Sequence, residues 1–256
     1  MAQLVAHSLG VREVGRSNRL APTIDTASEK TVKNLVDSYH PFILIPAYHA
    51  EQTIGTVITR LKARCDLSIL VIDDGSPDRT SECARQAGAD VITLSKNQGK
   101  GNAIRTGMLR GQELGYTHAI CIDADGQHDE SEIDLFMRHP QQTDIVIGRR
   151  TFASPMPFHR RLSNTLTSQV LSIATGLVLP DSQSGYRRYR LAVVCKWPLV
   201  SSRFDFETEV LFAAGQYGGS VGSVPASTHY GNERSSIHGL REIRNFLFQF
   251  WKFLWR

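Results

Sequence analysis

The sequence feature that most constrains the fold is a regular alternation, from Pro41 onward, of short apolar runs with amphipathic stretches. The runs PFILIPAY, SILVIDD, DVITL, HAICIDADG and DIVIGRR have the length of buried strands. After the first run, Ile54, Val57, Ile58 and Leu61 recur at the spacing of one helix face. Strands that alternate with helices predict an α/β fold with a mostly parallel central sheet flanked by helices. The predicted helices cover residues 51–64, 80–87, 102–114 and 130–137.

The alternating pattern occupies residues 39–235, which we expect to form a single domain. Residues 1–38 show weak periodicity and mixed polarity, and we predict that they form an N-terminal extension that is partly disordered. This extension carries charges throughout and contains no continuous apolar region, so it is not predicted to be a secretory signal.

Residues 236–256 contain the segment LREIRNFLFQFWKFLWR, in which apolar side chains recur near helical spacing. Arginines, a lysine and two tryptophans accompany them, which is the composition of an amphipathic helix that lies on a membrane surface. A helix that packs on the domain or in a dimer is the alternative interpretation.

Composition excludes several classes of protein. The 256 residues include 29 Lys and Arg against 25 Asp and Glu, and a net charge of +4 is too small to indicate a nucleic-acid-binding protein. The four cysteines form no C-x-x-C pair, which argues against a zinc ribbon or a disulfide scaffold and favours a cytoplasmic location. No uninterrupted apolar run reaches the ~18 residues of a membrane-spanning helix.

Polar clusters follow three of the predicted strands: IPAYHAE, DDGSPD and DADGQH. The carboxyl ends of parallel strands meet at one edge of a sheet, so Asp73, Asp74, Asp123 and Asp125 should gather there. Each of these aspartates could instead end a strand or cap a helix, because Asp is a common turn residue. Three acidic loops at the same edge favour a functional site.

The pair Asp123-x-Asp125 is the best candidate for a metal site. Mg²⁺ and Mn²⁺ prefer oxygen ligands and usually complete their coordination with water and substrate phosphate. Gln127 and His128 follow the pair, and the apolar AICI before it predicts a buried strand that orients both carboxylates.

Basic residues accompany the acidic loops. The segment SKNQGKGNAIRTG places Lys100 and backbone N–H groups where a helix begins, so they could meet a phosphate or a nucleotide. The segment is neither a P-loop nor a dinucleotide-binding motif, and it could simply begin a helix. Further arginines, expected in loops, favour anion binding over a solvated face. They are Arg149, Arg150, Arg160, Arg161, Arg187 and Arg188.

The order and spacing of these motifs match a known family. IPAYHAE, IDDGSPDRT, NQGKGNAIRTG, IDADGQH, IGRR, RRLSN, DSQSGYRRY and FDFETE follow one another along the chain. Over about residues 41–235 the chain resembles glycosyltransferase family 2, of the GT-A (nucleotide-diphospho-sugar transferase) fold. It is most similar to the dolichol- or polyprenyl-phosphate sugar transferase branch. The motifs are short, but their joint order is highly specific.

The resemblance implies a role for each matching residue. The donor nucleotide would be bound by Pro46, Ala47, Tyr48, Glu51, Asp73, Ser76, Lys100, Asp123 and Arg234. The metal ion, Mg²⁺ or Mn²⁺, would be held by Asp123, Asp125 and Gln127. The acceptor phosphate would be received by Arg149, Arg161 and Ser163, and catalysis would depend on Asp125, Arg149 and Arg161. Two positions depart from the family pattern: His49 stands where members often have Asn, and Gly126 where they have Leu.

The implied reaction is an inverting displacement at the anomeric carbon of a nucleoside diphosphate sugar. A lipid phosphate, with a second pKa near ~6, is largely dianionic at neutral pH and can attack without a protein base. A hydroxyl acceptor on a lipid or glycan would need a carboxylate base, for which the candidates are Asp181, Asp205, Glu207 and Glu209. A non-catalytic nucleotide-sugar-binding protein is a third possibility, and the intact D-x-D pair argues against it.

The expected partners are a nucleoside diphosphate sugar and a lipid-linked phosphate of the polyprenyl or dolichyl type, with no nucleic acid. Relatives of this branch often carry spanning helices after the catalytic domain, whereas the sequence here contains no such run. We therefore expect peripheral contact with the cytoplasmic face of the membrane. The sequence leaves the oligomeric state, the sugar and the nucleotide base undetermined.

Overall fold

The computed structural model describes residues 39–150, 158–201 and 206–227. Seven strands in these ranges form one sheet. They are β1 (Pro41–Ala47), β2 (Ile69–Asp73), β3 (Asp90–Thr93), β4 (His118–Cys121), β5 (Ile145–Arg150), β6 (Arg187–Arg190) and β7 (Val221–Ala226).

Helices connect the strands and cover both faces of the sheet. In the described ranges they are α1 (Ile54–Arg64), α2 (Thr80–Gln86), α3 (Lys100–Glu113), α4 (Ile133–Arg138), α5 (Phe158–Thr175), α6 (Leu191–Val194) and α7 (Phe206–Tyr217). A short 3₁₀ turn, Glu130–Glu132, precedes α4. None of the described helices is long and apolar enough to cross a bilayer.

The strands lie in the order β3-β2-β1-β4-β6-β5-β7. Neighbouring strands are parallel except that β6 runs antiparallel to both β4 and β5. The predicted α/β fold with a mostly parallel sheet is therefore confirmed. Because only β6 is reversed among the described strands, the other six end at the same edge, and the loops that follow them meet there.

The core explains why the strands appear as continuous apolar runs. Phe42 and Leu44 of β1 belong to the core on one face, and Ile43 and Ile45 to the core on the other face. A strand that is buried on both sides needs apolar residues at every position. The predicted interior strands β1, β2 and β4 are buried along their whole length.

Helix α3 approaches β1 closely because glycines face the sheet. A Cβ atom at Gly107 would overlap the Leu44 side chain, and one at Gly111 would overlap the Phe42 ring. The helix begins at Lys100, directly after Gly99, whose φ of 98° lies in the left-handed region that favours glycine. This contact brings the first residue of α3 to the edge where the strands end.

Several predicted features differ from the structure or lie outside it. Helix α1 begins at Ile54 rather than Glu51, and α3 begins at Lys100 rather than Asn102. The segment that contains Arg187 and Arg188 is strand β6, not the expected loop. The N-terminal extension 1–38, the amphipathic helix 236–256 and Arg234 lie outside the described residues. They stay predictions.

Candidate active site

The central feature of the carboxyl edge is a three-residue ion cluster. Lys100 Nζ lies 2.7 Å from Asp123 Oδ1 and 3.0 Å from Glu207 Oε1. Lys100 is the first residue of α3, Asp123 follows β4 and Glu207 lies in the first turn of α7. The side chains of Lys100, Asp123 and Glu207 are 17%, 24% and 9% exposed, so the cluster is largely shielded from water.

The charges in this cluster support one another. Burial opposes the charge on Lys100, but the two carboxylates outweigh it and raise the pKa of Lys100 well above its ordinary value. Burial would likewise raise the pKa of Asp123, but Lys100 and His128 outweigh it and hold that pKa below its ordinary value. Asp123 is therefore ionised and already compensated by a protein cation.

A histidine and a glycine enclose the other side of Asp123. His128 Nε2 lies 3.7 Å from Asp123 Oδ2, and the His128 ring packs on Tyr186 with centroids 5.2 Å apart. A Cβ atom at Gly185 would lie 2.6 Å from Asp123 Oδ2 and 3.0 Å from Lys100 Nζ. Only glycine lets the loop before β6 approach the ion pair this closely.

The second carboxylate of the D-x-D pair has a different environment. Asp125 is exposed, and its Oδ1 accepts the Gln127 backbone N–H at 2.9 Å across a turn in which Gly126 has a φ of 72°. Loss of hydration and the neighbouring Asp123 charge raise the pKa of Asp125 above its ordinary value. An exposed carboxylate that its neighbour destabilises is suited to bind a cation.

The residues present fit a hard divalent ion held by few protein ligands. Asp125 is exposed and Gln127 is partly exposed, and both side chains carry oxygens of the kind that such an ion prefers. Within the described part of the chain, no three His, Cys, Asp or Glu side chains converge into a complete metal site. An ion bound here would take further ligands from water and from a bound diphosphate.

The loop after β1 borders the predicted nucleotide pocket. Pro46 and Ala47 are buried at the end of β1, whereas the Tyr48 side chain is 46% exposed. His49 has a φ of 54°, and its backbone N–H donates to Ser76 Oγ at 3.0 Å. Asn and His are among the residues that adopt this conformation more readily than most others. The backbone conformation at this position is therefore compatible with either residue.

The loop after β2 is held by its own side chains and by Glu51 of the loop after β1. The Asp73 carboxylate is buried and accepts the Ser76 backbone N–H and the Ser81 hydroxyl. Glu51 Oε2 accepts the Arg79 backbone N–H at 3.1 Å. Thr80 Oγ1 accepts the Ala50 backbone N–H at 2.8 Å and so ties this loop to the one after β1. Asp73 thus supports the turn, whereas Ser76 on this turn and Glu51 on the loop after β1 are partly exposed.

Asp74 has a role that the sequence reasoning missed. Its carboxylate accepts the backbone N–H groups of Gln98 at 2.8 Å and Gly99 at 2.7 Å. Its own N–H donates to the Ala47 carbonyl at 2.8 Å. Asp74 therefore fixes the loop that leads into Lys100. The only sequence signal was that two adjacent aspartates end β2.

The two arginines at the end of β5 are not equivalent. Arg149 has an exposed side chain. Arg150 forms a two-point ion pair with Asp181, with Nε–Oδ2 at 2.7 Å and Nη2–Oδ1 at 2.9 Å. Arg160, Arg161 and Ser163 lie on α5 rather than in a loop, and their side chains lie outside the described set.

Arg187 and Arg188 do not form an anion-binding face, so that expectation was wrong. Both side chains are fully buried. Arg187 donates to the carbonyls of Ser182, Ser184 and Glu207 at 2.7–2.9 Å. Arg188 donates in the same way to the carbonyls of Phe136, His139 and Pro140. Each guanidinium satisfies main-chain oxygens where irregular segments meet the sheet.

The candidate bases for a hydroxyl acceptor are engaged in other contacts. Asp181 pairs with Arg150 and Glu207 with Lys100. The Glu209 carboxylate accepts the backbone N–H groups of Val200 and Ser201 at 2.8–3.2 Å. Asp205 lies outside the described residues.

This sheet order, with an acidic loop after β4 at the edge where the strands end, defines a nucleotide-sugar transferase fold. Solved structures of glucosyl-3-phosphoglycerate synthase from Mycobacterium tuberculosis share it. The complex with UDP has a TM-score of 0.67 at 17% identity, covering 86% of this chain and 83% of the other. The complex with Mn²⁺ and UDP-glucose has a TM-score of 0.66 at 16% identity, covering 86% and 82%.

The particular family follows from the sequence. Glycosyl transferase family 2 matches residues 42–195, and the chain belongs to this family. An uncharacterized protein of Methanocaldococcus jannaschii is 30% identical, covering 83% of this chain and 90% of its own length. The UDP-N-acetylglucosamine–dolichyl-phosphate N-acetylglucosaminyltransferase of Methanococcus voltae is 28% identical, with 80% and 91% covered. The undecaprenyl-phosphate mannosyltransferase of Micrococcus luteus is 29% identical, with 71% and 80% covered. The protein is a glycosyltransferase.

Proposed function

We propose that this glycosyltransferase moves a sugar from a nucleoside diphosphate sugar to a lipid-linked phosphate of the polyprenyl or dolichyl type, with inversion at the anomeric carbon. The observation that carries the proposal is the state of the carboxylates. Asp181, Glu207 and Glu209, three of the four candidate bases, are each held by an ion pair or by backbone N–H groups. A phosphate dianion is the acceptor that needs none of them. Two relatives are named for transfer to dolichyl or undecaprenyl phosphate.

On the donor side, the loops after β1 and β2 would hold the nucleoside. The exposed Tyr48 ring offers a flat surface to a base, and Ser76 and Glu51 offer polar groups beside it. Asp123, whose side chain is 24% exposed, would accept hydrogen bonds from the donor. Arg234 would close over the diphosphate, as the family resemblance implies.

Asp125 and Gln127 would hold Mg²⁺ or Mn²⁺. Structural neighbours that were crystallised with UDP and one or the other of these ions support this assignment. When bound, the ion would neutralise the charge that develops on the departing diphosphate. The turn at Gly126 and the hydrogen bond from Gln127 N–H would orient the Asp125 carboxylate toward the ion.

On the acceptor side, Arg149 would receive the lipid phosphate together with Arg161 and Ser163 of α5. A guanidinium matches the geometry of a phosphate and holds the attacking oxygen in place without removing a proton. The lipid tail would leave toward a membrane surface, with residues 236–256 as the predicted contact. Peripheral attachment to the cytoplasmic face belongs to the same proposal.

The test is a transfer assay with a panel of nucleotide sugars, Mn²⁺ and two matched acceptors, a polyprenyl phosphate and the corresponding polyprenol. We expect product only with the phosphate and, for an α-linked donor, a β-linked product by NMR. Transfer to the polyprenol or to a soluble glycan hydroxyl, with none to the phosphate, would establish the alternative hydroxyl transferase. Nucleotide-sugar binding without transfer to any acceptor would point to a non-catalytic protein.

A further inference from the structure

We propose that Glu207 is a positioning residue of the donor site, which acts through Lys100 to hold the Asp123 carboxylate in its binding orientation. The inference rests on the assignment of Asp123 to the donor site under the proposed function. It replaces the expected contact between Lys100 and a donor phosphate with a contact inside the protein. It also gives α7 a part in donor binding.

The geometry links three separate elements to one carboxylate. Lys100 Nζ bridges Asp123 Oδ1 at 2.7 Å and Glu207 Oε1 at 3.0 Å. Asp74 fixes the approach of α3 from the other side, because it accepts the N–H groups of Gln98 and Gly99 directly before Lys100. The position of the ammonium group is therefore set from both ends.

Glu207 differs from the other buried carboxylates of α7 and its surroundings. Glu209 and Asp181 each accept backbone N–H groups and so stabilise local structure. Glu207 makes its side-chain contact with Lys100, and its Oε2 is buried without a hydrogen-bond partner among the described residues. A buried ion pair adds little net stability on average, because desolvation offsets the attraction. A role in the site explains the pair better than a role in folding.

Gly185 restricts the same carboxylate by its lack of a side chain. A Cβ atom there would lie 2.6 Å from Asp123 Oδ2 and 3.0 Å from Lys100 Nζ. The space between Gly185 and the ion pair is therefore too small for a methyl group. Gly185→Ala should displace the Asp123 carboxylate, although the substitution removes no charged group from the cluster.

The experiment compares Glu207→Gln and Gly185→Ala with the wild-type full-length chain. Nucleotide diphosphate affinity is measured by calorimetry with UDP and GDP in Mn²⁺ without acceptor, and donor KM and kcat in the transfer assay. We expect both variants to weaken nucleotide affinity and to lower kcat/KM for the donor by about 10–100-fold, as is typical when the partner that orients a functional ligand is lost. The double variant should lose less than the product of the two single losses.

Asp144→Asn is the matched control. Asp144 is a buried carboxylate that accepts Ser220 N–H and lies 3.5 Å from Arg190 at the opposite edge of the sheet. The Asp144→Asn substitution should lower the melting temperature and leave nucleotide affinity unchanged. Unchanged nucleotide affinity in folded Glu207→Gln would overturn the inference, and a fall in kcat alone would make Glu207 a base instead. If the wild-type chain uses a hydroxyl acceptor while Glu207→Gln still weakens nucleotide affinity, only the proposed acceptor would be overturned. A chain that binds neither nucleotide and transfers from no nucleotide sugar of the panel would overturn both.

Discussion

Arg150 and Asp181 form a two-point ion pair that ties the end of β5 to the loop before β6, with N–O distances of 2.7 and 2.9 Å. Arg149 is the preceding residue, and its side chain points to the opposite face of the strand. The Arg149 side chain is exposed, so Arg149 is the one of these two arginines that is placed to contact a ligand. Two adjacent arginines therefore have different tasks, one in structure and one at the proposed acceptor site.

Arg149→Ala should raise the KM for a lipid phosphate or lower kcat by about 10–100-fold, the usual value of a hydrogen bond to a charged group. Nucleotide affinity should stay nearly intact, because only the acceptor side loses a guanidinium. Arg161→Ala should behave in the same way. Arg150→Ala is the comparison, and it should lower the melting temperature instead. An equal loss of nucleotide binding in Arg149→Ala would move this arginine to the donor side.

Asp125→Ala should abolish transfer and weaken nucleotide diphosphate binding in Mn²⁺, because one hard ligand and its charge are removed. The measurement is calorimetry with and without Mn²⁺ beside the transfer assay. Asp134→Ala removes a half-buried carboxylate that pairs with Arg64 away from the site, and it should leave both transfer and nucleotide binding unchanged. If EDTA and Asp125→Ala both leave transfer unaffected, the metal assignment is wrong.

His118 should make stability depend on pH. Burial lowers the pKa of His118 to about 4, and the neutral ring lies 2.9 Å from the Gln141 carbonyl. In the unfolded chain His118 takes up a proton near pH 6.5. The contribution of the neutral His118 to the free energy of unfolding is therefore fully present above that pH and is lost as the pH falls toward 4. Urea unfolding should show a loss on the order of 3 kcal/mol from this group across the window.

His118→Gln keeps a donor for the Gln141 carbonyl and cannot titrate, so it should flatten this part of the pH profile. The carboxylates whose pKa is lowered, such as Asp123 and Asp181, lose their contribution only at lower pH. A slope between pH 6.5 and 4 that is the same in the variant and the wild type would assign the effect to other groups.

The segment LREIRNFLFQFWKFLWR should bind anionic vesicles. Its apolar face would gain ~25 cal/mol for each Å² removed from water, and each nearby cation ~1 kcal/mol on anionic lipid. Co-sedimentation should therefore weaken with salt and with loss of the aromatic residues. A chain that ends before Arg241 should stay in the supernatant. If both chains pellet equally, or neither pellets while the intact chain is a dimer, the segment is a packing element.

The sequence predicted the parts of the fold that depend on apolar runs. Strands β1 to β5 were expected close to their observed positions, because burial on both faces leaves a continuous apolar signal. Strand β6 was missed because its first two residues are Arg187 and Arg188. Both side chains are buried, and they donate hydrogen bonds to carbonyls of distant segments. No local sequence pattern reveals these contacts.

The site was predictable only one loop at a time. The acidic loops were expected at the edge where they lie, because strand direction alone brings Asp73 and Asp123 there. The contact of Lys100 with Glu207 joins segments far apart in the sequence, so spacing could not indicate it. The distinct environments of Asp123 and Asp125 likewise depend on Gly185 and His128, which approach only in the folded chain.

Asp74 sits at the end of β2, yet the backbone that it holds belongs to the loop before α3. In the same way, Ser76 and Thr80 follow β2 but accept backbone N–H groups from the loop after β1. Either loop, transplanted alone from another enzyme, would therefore arrive without the neighbouring side chain that sets its shape. If the proposed donor site is correct, a change of donor preference would require that the loops after β1, after β2 and before α3 be exchanged together.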